Sequence, residues 1–361
     1  MGGSAFSNLG ISRIPADSLP LLQEHIESLL TPYYYGMIKS PPPAPGKLDH
    51  GDLDLLVLPL DFGNAPSKET LKAALSAIAT VTTKGSPTIS FAVPFPRHLA
   101  PAPGALFQLD IHVCASPHDL EWVLFQYSYG DFWNIVGAMA RRVGLKIDNT
   151  GMHLRLGEGE TLLLTAEPVA VLEFLGFEQE VFSKGEWESL EDMFAFIREC
   201  RFFTPEAFAK ENESQKDRQR ATKRHGWIKW KESLETIPPS TQGKIVEAEE
   251  VRVEALERFG KKREYEKTMQ ERANRARLKL MWKGVMAGLP LETDREKGLT
   301  LRRLRTLWES VDGRDLETLP TFAETHWKAE WEKAMEREAQ TALMPKKVKR
   351  KGGVEVASAG G

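Results

Sequence analysis

The chain has 361 residues, 41% hydrophobic and 27% charged, with a formal net charge of −3. That length supports about two ordinary globular domains. No stretch approaches the roughly 18 consecutive apolar residues of a membrane span, so no membrane partner is expected.

The first thirty residues show no basic-then-apolar signal pattern and read as a folded segment. Gly2 invites an acylation reading, but Phe6 stands where that signal wants Ser or Thr. Cys114 and Cys200, the only cysteines, lie in apolar contexts and read as buried free thiols in a reducing compartment. The charge is unevenly split. Residues 1–200 carry 13 Lys+Arg against 24 Asp+Glu, net −11, and residues 201–361 carry 35 against 27, net +8. The second half is therefore expected to meet something anionic.

In chain order, apolar spacing predicts a helix over 16–30, with Asp17 or Ser18 capping and Pro20 in the first turn. Tyr33–Ile38 reads as a strand, and Pro41–Gly46 as a loop. Asp52–Pro59 alternates charged and apolar residues and then turns wholly apolar, as a strand entering a core does. Ser67 caps an amphipathic helix over 67–80. Strands are expected near 87–93 and 105–114, and helices near 117–127 and 131–143, the second stopped by Gly144. A strand near 152–156, a turn at Gly157–Gly159, an apolar segment near 161–165 and helices over 167–175 and 188–200 follow. From about 205 the texture changes to long charged helical stretches at 205–234, 244–286, 297–311 and 321–341. The breaks between them are Pro238-Pro239, Gly288–Pro290 and Gly313. The expected architecture is α+β: a mixed sheet with flanking helices over 1–200, a helical charged domain over 201–343, and a basic flexible tail over 344–361.

The segment Gly51-Asp52-Leu53-Asp54-Leu55 carries the most chemistry. Alternation on a strand puts Asp52 and Asp54 on one face and Leu53 and Leu55 on the other. Two adjacent carboxylates repel unless a cation sits between them. Gly51 leaves room for a ligand. Asp110 is an acid within the otherwise apolar strand Phe107–Val113, which is unfavourable without a partner. If the two strands are neighbours, three carboxylates converge into the hard-oxygen set that Mg2+ (or Mn2+) prefers. His112 shares the face of Asp110 and reads as a packed histidine.

Over about residues 1–145 this arrangement resembles the nucleotidyltransferase superfamily typified by DNA polymerase beta, poly(A) polymerases and tRNA-end nucleotidyltransferases. That pattern is a Gly-Ser loop, about 9–13 residues, Asp-x-Asp or Asp-x-Glu on a strand, then a third acid on a later strand. Gly51-Asp52-Leu53-Asp54 and Leu109-Asp110-Ile111 match the later parts. The Gly-Ser position holds Lys39-Ser40, followed by three prolines. A second Gly-Ser candidate, Gly2-Gly3-Ser4, lies farther upstream. The resemblance implies a nucleotidyltransferase-like mixed sheet, with Asp52 and Asp54 as ligands of both metals. It also implies that Asp110 is a ligand and can serve as base for the incoming hydroxyl. The same resemblance places nucleoside triphosphate binding at Lys39, Ser40 and Gly51.

Asn134 is a candidate reader of base or ribose, against the commoner role of a local hydrogen-bonder. Arg141-Arg142 reads either as a phosphate holder or as a solvated helix end. Arg220, Lys223 and Arg224 interleave with Trp227 and Trp230, a mixture suited to a nucleic-acid strand. The alternative is an amphipathic helix with the tryptophans in an interface. The helix over 261–283 reads as a salt-bridged solvated face because Glu residues intersperse its cations. Residues 345–351, Pro-Lys-Lys-Val-Lys-Arg-Lys, resemble a monopartite nuclear import signal, which allows a nuclear location.

Two functions are therefore expected to compete. One is a metal-dependent transferase moving a nucleoside monophosphate from a nucleoside triphosphate to a hydroxyl, such as a nucleic-acid end. The other is an inactive scaffold or nucleic-acid-binding protein on the same fold.

Overall fold

The computed structural model describes residues 5–34, 37–59, 65–235, 237, 246–311 and 315–343. The chain forms two compact units, Met1–Tyr265 and Glu266–Gly361.

Unit 1 opens with β1 (Ile14–Pro15), α1 (Leu19–Tyr34), β2 (Ile38–Lys39), β3 (Asp49–His50) and β4 (Asp52–Val57). It continues with α2 (Lys68–Ala74), β5 (Ala79–Thr82), β6 (Thr88–Pro94) and β7 (Leu106–Val113). These build a mixed five-stranded sheet in the order β2-β4-β7-β6-β5, with β1 and β3 as a separate two-stranded ribbon. The β4–β7 pair is parallel and the other three pairings are antiparallel.

Strand alternation gives the sheet two different faces. Leu53, Leu55 and Val57 of β4 and Phe107, Leu109 and Ile111 of β7 pack with Leu22, Ile26, Leu30 and Tyr34 of α1. The opposite face carries Asp52 and Asp54, then passes at Leu56 into a second core. That core is built largely from α3 (Pro117–Tyr127) and α4 (Phe132–Arg142). A second antiparallel sheet follows, β10-β9-β8, from β8 (Leu145–Asp148), β9 (Gly151–Gly157) and β10 (Glu160–Thr165). Short helices α5 (Pro168–Leu175), α6 (Gln179–Lys184) and α7 (Leu190–Arg198) come next. Then come α8 (Gln215–Lys223), α9 (His225–Leu234) and α10 (Ala248–Arg258).

Helix α11 (Lys262–Gly288) contains the division between units. Unit 2 continues with α12 (Asp294–Glu309) and α13 (Leu319–Leu343) around a core of Trp282, Met286, Leu304, Trp308 and Leu319.

Several expectations are corrected. Tyr33 and Tyr34 end a helix instead of opening a strand. The four-residue spacing Leu22, Ile26, Leu30, Tyr34 buries one stripe, and that packing outweighs the strand preference of tyrosine. The helix expected over 67–80 stops at Ala74, and Ala79–Thr82 joins the sheet edge as β5. The stretch 205–234 is two 3-10 turns and two helices, not one long helix. The 244–286 stretch breaks at Gly260, whose φ of +63° suits a helix end. Pro238-Pro239 and Gly313 lie outside the described residues.

The expected boundary near 200 is corrected as well. Trp227, Trp230, Val251, Ala255 and Leu256 bury in the same core as α3–α7, and the division falls at Tyr265. The hydrophobic content of 205–258 is sparse but concentrated in large residues, and those residues complete the first core.

Candidate metal centre

The parallel register of β4 and β7 sets Asp54 beside Asp110 and Asp52 beside Gln108. One oxygen from each of Asp52, Asp54 and Asp110 lies within 4.8 Å of the others. All three side chains are half-buried. The convergence expected from alternation on two strands is present.

The electrostatics of the cluster are those of three acids held close together. Burial, then the charges of Asp52 and Asp110, push the Asp54 carboxyl far above the usual carboxylate range. Burial raises Asp110 too, while hydrogen bonds from Ser90 and Gln108 pull it back down. Three oxygen donors that repel one another at this spacing fit a hard divalent cation, which replaces the repulsion with attraction.

Gln108, 3% exposed, holds the cluster from behind. Its amide donates to both carboxylate oxygens of Asp110 at 3.0 Å. Its own carbonyl accepts the backbone N–H of Ala5 at 3.0 Å. On the same face His112 is buried against Thr88 (3.1 Å) and Tyr127, and burial holds its pKa below the usual histidine value. It is a packed histidine, as expected.

The cleft over Asp52 and Asp54 is small, with a volume of about 90 Å³. Ser40–Ala44 roof it, and Lys47, His50 and Tyr127 complete the wall. The roof is held at Ser40 and at Pro42. The Ser40 hydroxyl donates to the Asp54 carbonyl at 3.0 Å, and the Tyr129 N–H donates to the Pro42 carbonyl at 2.8 Å. Tyr129 and Gly130 are both left-handed, at φ +63° and +65°. A Cβ on Gly130 would meet the Ala44 Cβ at 3.1 Å, so glycine lets the roof close down at that corner. Burial, then Lys47, lowers the His50 pKa and favours a neutral ring at the cleft wall. Across the roof segment Pro43–Lys47 lies a larger cavity of about 370 Å³ that reaches Gln23 and Trp187.

The structure divides the other candidate residues. Ser40 lines the cleft, but its hydroxyl is spent on the β4 backbone. Lys39 is exposed on β2, paired with Leu56. Gly51 immediately precedes β4. Asn134 is not in the cleft wall. Its amide donates to Asp131 at 3.0 Å, the local role, because a short side chain in the first helical turn finds its neighbour first. Arg141 pairs with buried Asp217 at 2.5 Å and is not a solvated helix end, whereas Arg142 is exposed and donates to Thr204 at 2.8 Å.

Of the two readings of 220–230, the stacking role of the tryptophans is corrected and their packed reading holds. Trp227 and Trp230 are 1% and 0% exposed. Trp230 packs edge-on to Phe194 and Phe208, and Arg220 covers Trp227 while pairing with Asp217 at 2.8 Å. Arg224 pairs with Asp131 at 2.9 Å, and Lys223 alone of the five points outward without such a role. Neither indole face is offered to a base. The tail 345–351 and Gly2–Ser4 lie outside the described residues.

Lys47, His50, Gln108 and Tyr127 were missed in the sequence. Gln108 was findable, since the alternation that pairs Asp110 with His112 also includes it. Lys47 and His50 sit just ahead of Asp52 and line its cleft, His50 from the β1–β3 ribbon. A comparison with protein-family models finds no match to this chain, and a comparison with curated proteins finds none.

Proposed function

We propose that the chain is a metal-dependent nucleotidyltransferase, moving a nucleoside monophosphate from a nucleoside triphosphate to a hydroxyl acceptor. The observation that carries the reading is the convergence of Asp52, Asp54 and Asp110 from two adjacent parallel strands. The resemblance of Gly51-Asp52-Leu53-Asp54 and Leu109-Asp110-Ile111 to that superfamily points the same way.

The three carboxylates would hold Mg2+ or Mn2+, which supplies charge neutralisation at the phosphates and a more acidic acceptor hydroxyl. Asp110, steadied by Gln108, takes the hydroxyl's proton. The acceptor oxygen then bonds to the α-phosphorus, and the bond from that phosphorus to the bridging oxygen breaks, releasing pyrophosphate. Lys47 at the cleft wall meets the negative charge of the phosphates.

The second reading, a scaffold that keeps the fold without the reaction, is favoured by the cleft volume. About 90 Å³ is well under the ~300–1,000 Å³ of ordinary ligand sites. The proline roof would have to lift for a triphosphate to enter. Incubating the protein with Mn2+ and each labelled nucleoside triphosphate, with and without an oligonucleotide acceptor, separates the two. Release of pyrophosphate that Asp54→Asn abolishes supports transfer. Tight Mn2+ binding with no turnover for any nucleotide supports the scaffold.

A further inference from the structure

Unit 2 holds an arginine-lined groove. Between α12 and α13 a cavity of about 420 Å³ is ringed by Arg295, Arg302, Arg303, Arg337 and Glu338 over a floor of Leu299 and Ala334. A second cavity of about 330 Å³ adjoins it, sharing Arg302 and adding Gly298, Arg305, Thr306 and Glu309. Helical geometry explains the continuity. Positions 295, 298, 302, 305 and 309 recur every three or four residues and so form one stripe of α12. At 1.5 Å per residue that stripe runs for roughly 20 Å.

Three of the cations already have partners, Arg337 among them. Arg303 pairs with Glu330 at 2.8 Å and Arg295 pairs with Glu338. Among the described residues, Arg302 and Arg305 pair with no carboxylate, and both are exposed. Gly298 has no atom within 4 Å of where a Cβ would stand, so the groove is open to the helix backbone between Arg295 and Arg302.

We infer that this groove binds the phosphate backbone of a single-stranded nucleic acid. Guanidinium groups match phosphate oxygens in pairs and stay charged at every physiological pH. The elongated shape favours a strand over a compact polyphosphate, because successive phosphates follow the stripe from Arg295 to Arg305. The groove replaces Trp227 and Trp230 as the place where the basic second half meets an anion. It needs no catalysis at the aspartate cluster, and it stands or falls apart from that reaction.

The test is fluorescence anisotropy of the full-length protein on a labelled 20-nucleotide single strand at two salt concentrations. The double variant Arg302→Glu/Arg305→Glu is compared with Lys328→Glu, an exposed cation of α13 outside both cavities. Losing two phosphate contacts should lower the slope of log affinity against log salt by about 1.4, at ~0.7 per contact, with affinity down at least about tenfold. Arg302→Ala/Arg305→Ala should show half or more of that loss. Because both side chains are exposed, both double variants should melt with the wild type. Equal losses for Lys328→Glu, no binding by the wild type at low salt, or full displacement by micromolar tripolyphosphate would each overturn the inference.

Discussion

Asp54 and Asp110 lie side by side on parallel strands, so their carboxylates share a face whatever occupies the site. The consequence appears first in stability. Burial and the two neighbouring acids raise Asp54 to about 8, against 3.8 unperturbed. The folded chain thus keeps a proton that the unfolded chain releases above about pH 4. Without divalent cation, stability should therefore fall as pH rises from about 4 to about 8. Asp54→Asn should flatten that fall and melt above the wild type at pH 8. About 1 kcal/mol moves the midpoint by about 2–4 °C for a domain of this size, which scanning calorimetry resolves. Mn2+ should restore the wild type at pH 8 and leave the variant unmoved. A variant with the wild-type pH profile would show that the acids do not repel.

Gln108→Leu removes the amide that joins Asp110 to the Ala5 backbone. Leaving these groups unpaired should cost about 1–3 kcal/mol. It should also raise the proton affinity of Asp110, because a donor to its charged form is lost. The pH at which Mn2+ binding is half-complete should move upward, readable by titration calorimetry at several pH values. Unchanged Mn2+ binding alongside lowered stability would make Gln108 a packing residue only.

Trp230→Ala should destabilise unit 1 by about 3–5 kcal/mol, the usual cost of emptying a large buried aromatic site. The ring is fully buried against Phe194, Phe203 and Phe208. Urea unfolding should show the loss. Stability within about 0.5 kcal/mol of the wild type would mean that the ring is solvent-facing after all.

Asp217 is 1% exposed between Arg141 and Arg220. Hydrogen bonds from Arg141 and Ser214 hold its pKa below the ordinary 3.8 despite burial. Its contribution is present above the unfolded pKa and is lost as pH falls through the lower folded value. Asp217→Asn should cost about 1–3 kcal/mol at pH 7 by weakening the charged hydrogen bonds to Arg141 and Arg220. The difference from the wild type should shrink below about pH 4. A difference that stays constant down to pH 2 would assign the effect to packing.

The aspartate cluster was legible because strand alternation is a two-residue rule that survives tertiary context. Asp52, Asp54 and Asp110 needed only their parity and one strand pairing. Tyr34 was misread because its burial is decided by α1's four-residue stripe, a longer-range demand than its own preference. Trp227 and Trp230 kept two readings open for a related reason. Cations beside an indole look like a binding surface, and only the fold reveals that Trp230 packs against Phe194 and Phe208 in the core. The proline roof was read as a loop, but its closure depends on Tyr129 and Gly130, almost ninety residues away.

The antiparallel run β5-β6-β7 is built from sequential neighbours, while β7 meets β4 only by a crossover. Asp54 and Asp110, 56 positions apart, come together only when β7 pairs with β4. Contacts of long sequence separation are slow to form, and their energy is felt mostly after the barrier is crossed. A bound divalent cation should then slow the unfolding of unit 1 and leave its refolding rate nearly unchanged. The lifetime of the native state, more than the speed of reaching it, would track the cation concentration around the chain.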